Sequence, residues 1–194
     1  MAQYLLDVLT RIAIFGTLTL GFNLAFGYTG IVNLGYVAFA GIGAYAYVIA
    51  TVRFGWLPVA ALALALGVTA GAAGLLARLV KKITGDQLAL VTLFFALVIY
   101  IVLLSWRDIF GVPPLSLLLP PAWHDLTRGS LGIVGIRRPP WLAGPVAFSL
   151  ASIGVVGLSY LLVQRLGRSP FGRVMAAVRD DELAAETLGK NTAA

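Results

Sequence analysis

The sequence predicts an all-α fold: a polytopic membrane helical bundle of about five transmembrane helices with a polar cytoplasmic tail. Composition is the first reason. The 194 residues are 60% hydrophobic and 11% charged, with a mean hydropathy of +0.94, whereas a soluble domain carries about a quarter charged residues. So few charges cannot cover a water-exposed particle. Disorder is excluded too, because disordered chains are polar and charge-rich. The second reason is where charge is missing. Four stretches, 12–52, 54–77, 87–106 and 139–164, contain no Asp, Glu, Lys or Arg, and about 20 apolar residues suffice to cross roughly 30 Å of hydrocarbon as a helix. The third is the sign of the remaining charge, +6 from 14 basic and 8 acidic residues. In a soluble protein that excess would suggest nucleic acid. Here it fits basic residues gathered in cytoplasmic loops, and no nucleic-acid partner is expected.

The first charge-free stretch is too long for one crossing. It divides at Gly27-Tyr28-Thr29-Gly30-Ile31-Val32-Asn33-Leu34-Gly35, where glycines and an Asn bring loop chemistry into an apolar run. Helix one is therefore expected over about 5–26 and helix two over 34–52. A cleaved signal peptide fits poorly, since no Lys or Arg precedes the apolar run and Asp7 sits inside its start. Helices three, four and five are expected over 56–76, 87–106 and 142–163. Residues 1–164 thus form the transmembrane region, and 165–194 a polar segment outside the bilayer.

The connections differ in kind. Arg78, Lys81 and Lys82 crowd the turn after helix three, a cytoplasmic signature. The loop 107–141 holds six of the nine prolines, and its apolar middle, 115–119, is too short to span. With five crossings, a cytoplasmic tail places the N-terminus and the Pro-rich loop outside. That arrangement puts eight of the 14 basic residues inside.

Small residues let helices in lipid approach closely. Gly67-Val68-Thr69-Ala70-Gly71 is a GxxxG, and Ala40-Gly41-Ile42-Gly43-Ala44 makes a smooth patch; ordinary packing is a simpler reading of both than a sliding channel wall. Asn23, Asn33 and Tyr36 surround the glycine break, with Tyr28 beside them. Polar groups and broken backbone at membrane depth are tolerated where they face protein or a water-filled cavity, so these three are candidates to line a pathway, with interhelical hydrogen bonding the competing role. No span carries a carboxylate in its middle. Ion-coupled carriers usually place one there, so transport would draw its energy from elsewhere. With no Cys and only His124, neither a metal site nor a disulfide is expected, and no phosphate-binding loop, nucleophile elbow or zinc motif appears. No catalytic residue and no cofactor are expected.

The tail carries the most local information. Ser169 and Pro170 read as N-cap and first helical residue. Phe171, Val174, Met175 and Val178 then follow at helical spacing on one apolar face. Asp180, Asp181 and Glu182 form an acidic first turn for a second short helix that Gly189 and Lys190 would stop. Two short amphipathic helices suit either a partner's groove or a lipid surface.

Four blocks of this sequence resemble the LivM-type permeases of branched-chain amino-acid ABC importers. They are Gly21-Phe22-Asn23-Leu24-Ala25-Phe26-Gly27-Tyr28-Thr29-Gly30 with the following Asn33-Leu34-Gly35 and Ala38 to Tyr45; Leu88-Ala89-Leu90-Val91-Thr92-Leu93; Leu126-Thr127-Arg128-Gly129-Ser130-Leu131-Gly132 with Gly135-Ile136-Arg137-Arg138-Pro139; and Ser169-Pro170-Phe171-Gly172-Arg173 with Arg179-Asp180-Asp181-Glu182 and Ala184-Ala185-Glu186-Thr187-Leu188-Gly189. The resemblance implies a permease subunit in a bacterial-type plasma (inner) membrane. It implies as partners a second homologous permease, two cytoplasmic ATP-binding subunits and an external solute-binding protein. Branched-chain or other apolar amino acids are the implied substrates; a urea or amide permease of the same family, or a non-transporting scaffold, are the alternatives.

The resemblance also implies ATPase coupling through Asp181, Glu182, Ala184, Ala185 and Gly189, of which Ala184, Ala185 and Gly189 fall on the Ala-Ala-x-x-x-Gly of the coupling motif. Leu183 stands where that motif often opens with Glu, and Leu97 and Tyr100 stand where relatives commonly carry an acid and an Arg. The stretch 108–125 looks like an insertion. Family members continue with further membrane helices, so a fragment or a split permease is expected.

Overall fold

A computed structural model of the chain describes residues 1–81, 83, 85–106, 126, 127, 129, 132–136 and 139–180. Among them the secondary structure is helical throughout. In chain order the helices are α1 (Ala2–Thr29), α2 (Tyr36–Val48, continued by a π-helical turn Ile49–Arg53), α3 (Pro58–Val80), α4 (Asp86–Leu104), α5 (Pro145–Arg168) and α6 (Pro170–Asp180). The first five, counting Tyr36–Arg53 as one span, are long and apolar enough to cross a membrane. The chain is an integral, multi-pass membrane protein, as its composition requires.

Helix limits are set by local chemistry. α3 and α5 each begin with a proline, after Leu57 and Gly144 in extended conformation. A proline at the first helical position costs no hydrogen bond and its fixed φ suits the helix. α1 runs further than the expected 5–26. Thr29 Oγ1 donates back to the Ala25 carbonyl, so the last turn persists through Gly27 and Tyr28. The helix stops at Gly30, where φ is +71° and the N–H bonds the Phe26 carbonyl at 3.0 Å. The break is thus 30–35, shorter than the nine-residue motif suggested. At the other end of α2 the Phe54 N–H reaches the Ile49 carbonyl five residues back at 3.3 Å. α3 and α5 also outlast their expected ends at 76 and 163, carrying Arg78, Arg165 and Arg168 in their last turns. Basic side chains near a helix C-terminus complement its dipole and reach toward the membrane surface.

The chain divides into two compact units, 1–33 with 138–194, and 34–137. In the first, α1 packs on α5. Ala13 and Ser149 are buried. Thr10 and Ser149 bond at 2.9 Å, and a Cβ added at Gly16 would touch Val156 at 3.8 Å. The partners advance together along both helices, so α1 and α5 are parallel. A chain that leaves α1 on one side and re-enters α5 on the opposite side must cross an odd number of times in between, and α2, α3 and α4 supply three crossings.

In the second unit α3 returns antiparallel to α2 through a short turn, and α4 runs parallel to α2. Phe39 and Phe95 meet in a tilted pair with ring centroids 5.5 Å apart and planes 36° apart. Ala61 and Ala65 are buried, and a Cβ at Gly43 would come within 2.9 Å of Thr69 Oγ1. The contact stripe of α3 is therefore Ala61, Ala65 and Thr69. Gly67 and Gly71 are exposed, with nothing within 4 Å of an added Cβ, so the GxxxG is not the packing face among the described residues. The 40–44 patch packs through Gly43 instead. Leu126 and Thr127 are buried as well; beside them Gly129, at φ +55°, leaves only 2.9 Å between an added Cβ and the Leu104 carbonyl.

The buried positions are mostly small, while Phe15, Leu62, Phe94 and Leu161 point outward. That distribution is inverted relative to a soluble core. Lipid tails are as apolar as Leu, so burying a large side chain between helices gains little, whereas small residues gain backbone proximity and dispersion.

Candidate functional site

Two features of the first unit concentrate polar chemistry. One is a cleft of about 310 Å³ between α1 and α5, lined by Leu20, Asn23, Tyr28, Tyr160, Val163, Gln164 and Arg168. Parallel packing makes it: Tyr160, Gln164 and Arg168 recur every four residues on one face of α5, and that face meets the Asn23 side of α1. Asn23 curls over its own helix, and a Cβ at Gly27 would collide with its side-chain oxygen. Tyr28 lies over Gly167 just as closely, so the two glycines set the depth of the cleft. Two amides, two phenols and a guanidinium converge there. Such a surface can hydrogen-bond a polar solute or hold water.

The other is the junction of α6 with the C-terminal end of α1. Ser169 caps α6: its Oγ accepts the Gly172 N–H at 3.2 Å and donates to the Leu166 carbonyl at 2.6 Å. Cap and first-turn proline are those the sequence predicts. Gly172 is buried and sits against the backbone of Leu166 and Gly167, so a side chain there would block the reversal from α5 into α6. The chain then turns α6 back to α1. Arg179 Nη1 donates to the Gly27 carbonyl at 2.7 Å, while Nε and Nη2 bond Asp180 Oδ1 at 3.2 and 3.0 Å.

Of the expected pathway residues, Asn23 lines the cleft. Asn33 lies in the break and belongs to the first unit, whereas Tyr36 opens α2 in the second. Asp181, Glu182, Ala184, Ala185 and Gly189 lie outside the described residues, as does the second short tail helix. Sequence reading missed Tyr160, Gln164 and Arg168, although their i, i+4, i+8 spacing in an apolar helix is a legible signal. It also missed the work of Thr92. That residue, inside Leu88-Ala89-Leu90-Val91-Thr92-Leu93, is buried, accepts the Leu34 N–H at 3.1 Å and donates to the Ala89 carbonyl at 3.0 Å. It ties the start of α2 to α4.

A bundle of five candidate spans packed on small residues, with a polar cleft and an amphipathic helix folded back at one end, defines a multi-pass integral membrane protein. The family described as branched-chain amino acid transport system, permease component, matches residues 4–194, and the chain belongs to it. The high-affinity branched-chain amino acid transport system permease proteins LivM of Salmonella typhimurium strain LT2 and Escherichia coli strain K12 are each 34% identical to it, over 200 and 201 residues. In both cases the alignment covers 94% of this chain and 45% of the relative, so the chain spans about half the length of these curated relatives. No solved structure matches.

Proposed function

We propose that this chain forms part of the translocation pathway of an ABC importer in the plasma (inner) membrane, carrying branched-chain or other apolar amino acids. A second homologous permease, two cytoplasmic ATP-binding subunits and an external solute-binding protein complete the complex. The family match over 4–194 is the observation that carries this reading. The bundle is compatible with it: no helix from α2 to α5 has a carboxylate in its interior, as suits a permease whose energy comes from ATP hydrolysed on a partner. Asn23, Asn33 and Tyr36 line the pathway, Asn23 by way of the cleft it shares with Gln164 and Arg168. The segment 165–194 docks the ATPases through Asp181, Glu182, Ala184, Ala185 and Gly189.

The test uses the complete complex. A bulky or charged side chain overpacks a fitted small-residue interface at a cost of roughly 1–3 kcal/mol, and a β-branched residue is ill suited to a helix stop that calls for φ > 0. Ala185→Glu and Gly189→Val are expected to abolish leucine uptake and ATPase association while membrane insertion stays normal. Normal uptake by both variants would remove the tail as the docking element.

A further inference from the structure

The contact between α6 and α1 is built more closely than a chance surface contact requires. The last carbonyls of any helix lack intrahelical partners, and that end carries the negative pole of the helix dipole. Arg179 meets one of them, Gly27 O, with a charge-assisted hydrogen bond of 2.7 Å. Its fork is divided: Nε and Nη2 are held by Asp180, which leaves Nη1 for α1. Its aliphatic stem crosses Gly30, where an added Cβ would lie 2.6 Å from Arg179 Cγ. Gly30 is thus required twice, once for φ +71° and once for the space the arginine occupies. A lysine could supply the charge but not two directed bonds in fixed geometry.

We propose that Arg179 is a positioning residue of the transport cycle, coupling α6 to the carbonyl end of α1 so that displacement of the tail is delivered to the glycine break that begins at Gly30. The proposal rests on the reading of 165–194 as the ATPase-coupling segment. Motion imposed on the tail reaches α1 through one guanidinium, at the point where that helix gives way to non-helical backbone and Asn33.

The experiment uses the complete transporter in lipid nanodiscs and proteoliposomes, with spin labels at Phe26 and Ala177. The wild type gives a narrow distance distribution between the labels. In Arg179→Gln the distribution broadens and uptake per ATP hydrolysed falls roughly tenfold, within the usual range of coupling between sites, while the ATPases still copurify. Arg179→Lys falls between the two. Gly30→Ala leaves the arginine in place but lifts its stem, so it reproduces the broadening. The double variant Gly30→Ala/Arg179→Gln loses less than the sum of the two single losses, because the two changes share one contact besides the backbone strain that Gly30→Ala adds at φ +71°. An unchanged label distance in Arg179→Gln, normal uptake per ATP hydrolysed, or additive losses in the double variant would each overturn the proposal. Failure of the coupling reading itself has a different signature: Ala185→Glu would keep its ATPases while the label distance still responded to Arg179→Gln.

Discussion

Ser149 and Thr10 stand 139 positions apart in the chain and share a hydrogen bond of 2.9 Å, with both hydroxyls gathered at the Leu6 carbonyl, 3.1 and 2.8 Å away. This polar knot lies in a helix pair otherwise held by small apolar contacts, and it fixes which turn of α5 faces which turn of α1. The cleft at Asn23 and the meeting of α6 with Gly27 lie further along the same parallel pair and depend on that register.

Ser149→Ala deletes a buried interhelical bond but leaves the Thr10 hydroxyl bonded within its own helix. Such bonds contribute on average about 0.6 kcal/mol in membrane bundles, so a small loss of resistance to SDS unfolding is expected. Ser149→Leu forces a large side chain against Thr10 and the Leu6 carbonyl at a buried position and should cost more, about 1–3 kcal/mol. Equal unfolding curves for the two variants would contradict the close packing.

Thr92→Val keeps shape but removes the acceptor of the Leu34 N–H. A buried donor left unpaired costs about 1–3 kcal/mol. Faster hydrogen exchange at the Leu34 amide is expected, together with lower thermal stability in detergent, and Thr92→Ser should restore both.

The α2 and α3 contact makes the glycines unequal. Gly43→Leu meets Thr69 and should lower thermal stability of the chain in detergent. Gly67→Leu and Gly71→Leu point away from that contact and should be nearly neutral or slightly stabilising, since glycine costs up to about 1 kcal/mol in a helix interior. A larger loss at Gly67 than at Gly43 would restore the GxxxG as the packing face.

Parallel α1 and α5 fix sidedness. The chain has no cysteine, so single Cys substitutions report without background. With the basic turn at Arg78 and Lys81 inside, Gln3→Cys and Trp141→Cys should react with an impermeant thiol reagent in intact cells, and Arg173→Cys should be protected. The reverse pattern would invert the topology; labelling of Gln3→Cys and Arg173→Cys from the same side would rule out parallel crossings.

Much of this protein follows from its sequence alone. Five crossings are legible because hydrocarbon tolerates neither charges nor unpaired backbone, which leaves long uncharged runs that any membrane helix must show. Pro170 and the Ser169 cap mark a helix start for reasons confined to a few neighbouring residues, and the same chemistry at Pro58 and Pro145 sets starts that hydropathy alone places at 56 and 142. The glycine break could be found but not bounded, since whether Gly27 stays helical depends on a hydroxyl that bonds back at Thr29.

What sequence could not decide was which faces meet. Two small-residue stripes compete on the page, Gly67 with Gly71 and Ala61 with Ala65, and hydropathy does not separate them because lipid and protein are equally apolar surroundings. The parallel pairing of α1 with α5, the convergence of Tyr160, Gln164 and Arg168 on Asn23, and the reach of Arg179 to Gly27 join residues more than a hundred positions apart. Only three-dimensional packing brings such groups within hydrogen-bonding range, because the directed contacts that select among apolar faces do not exist until the helices are side by side.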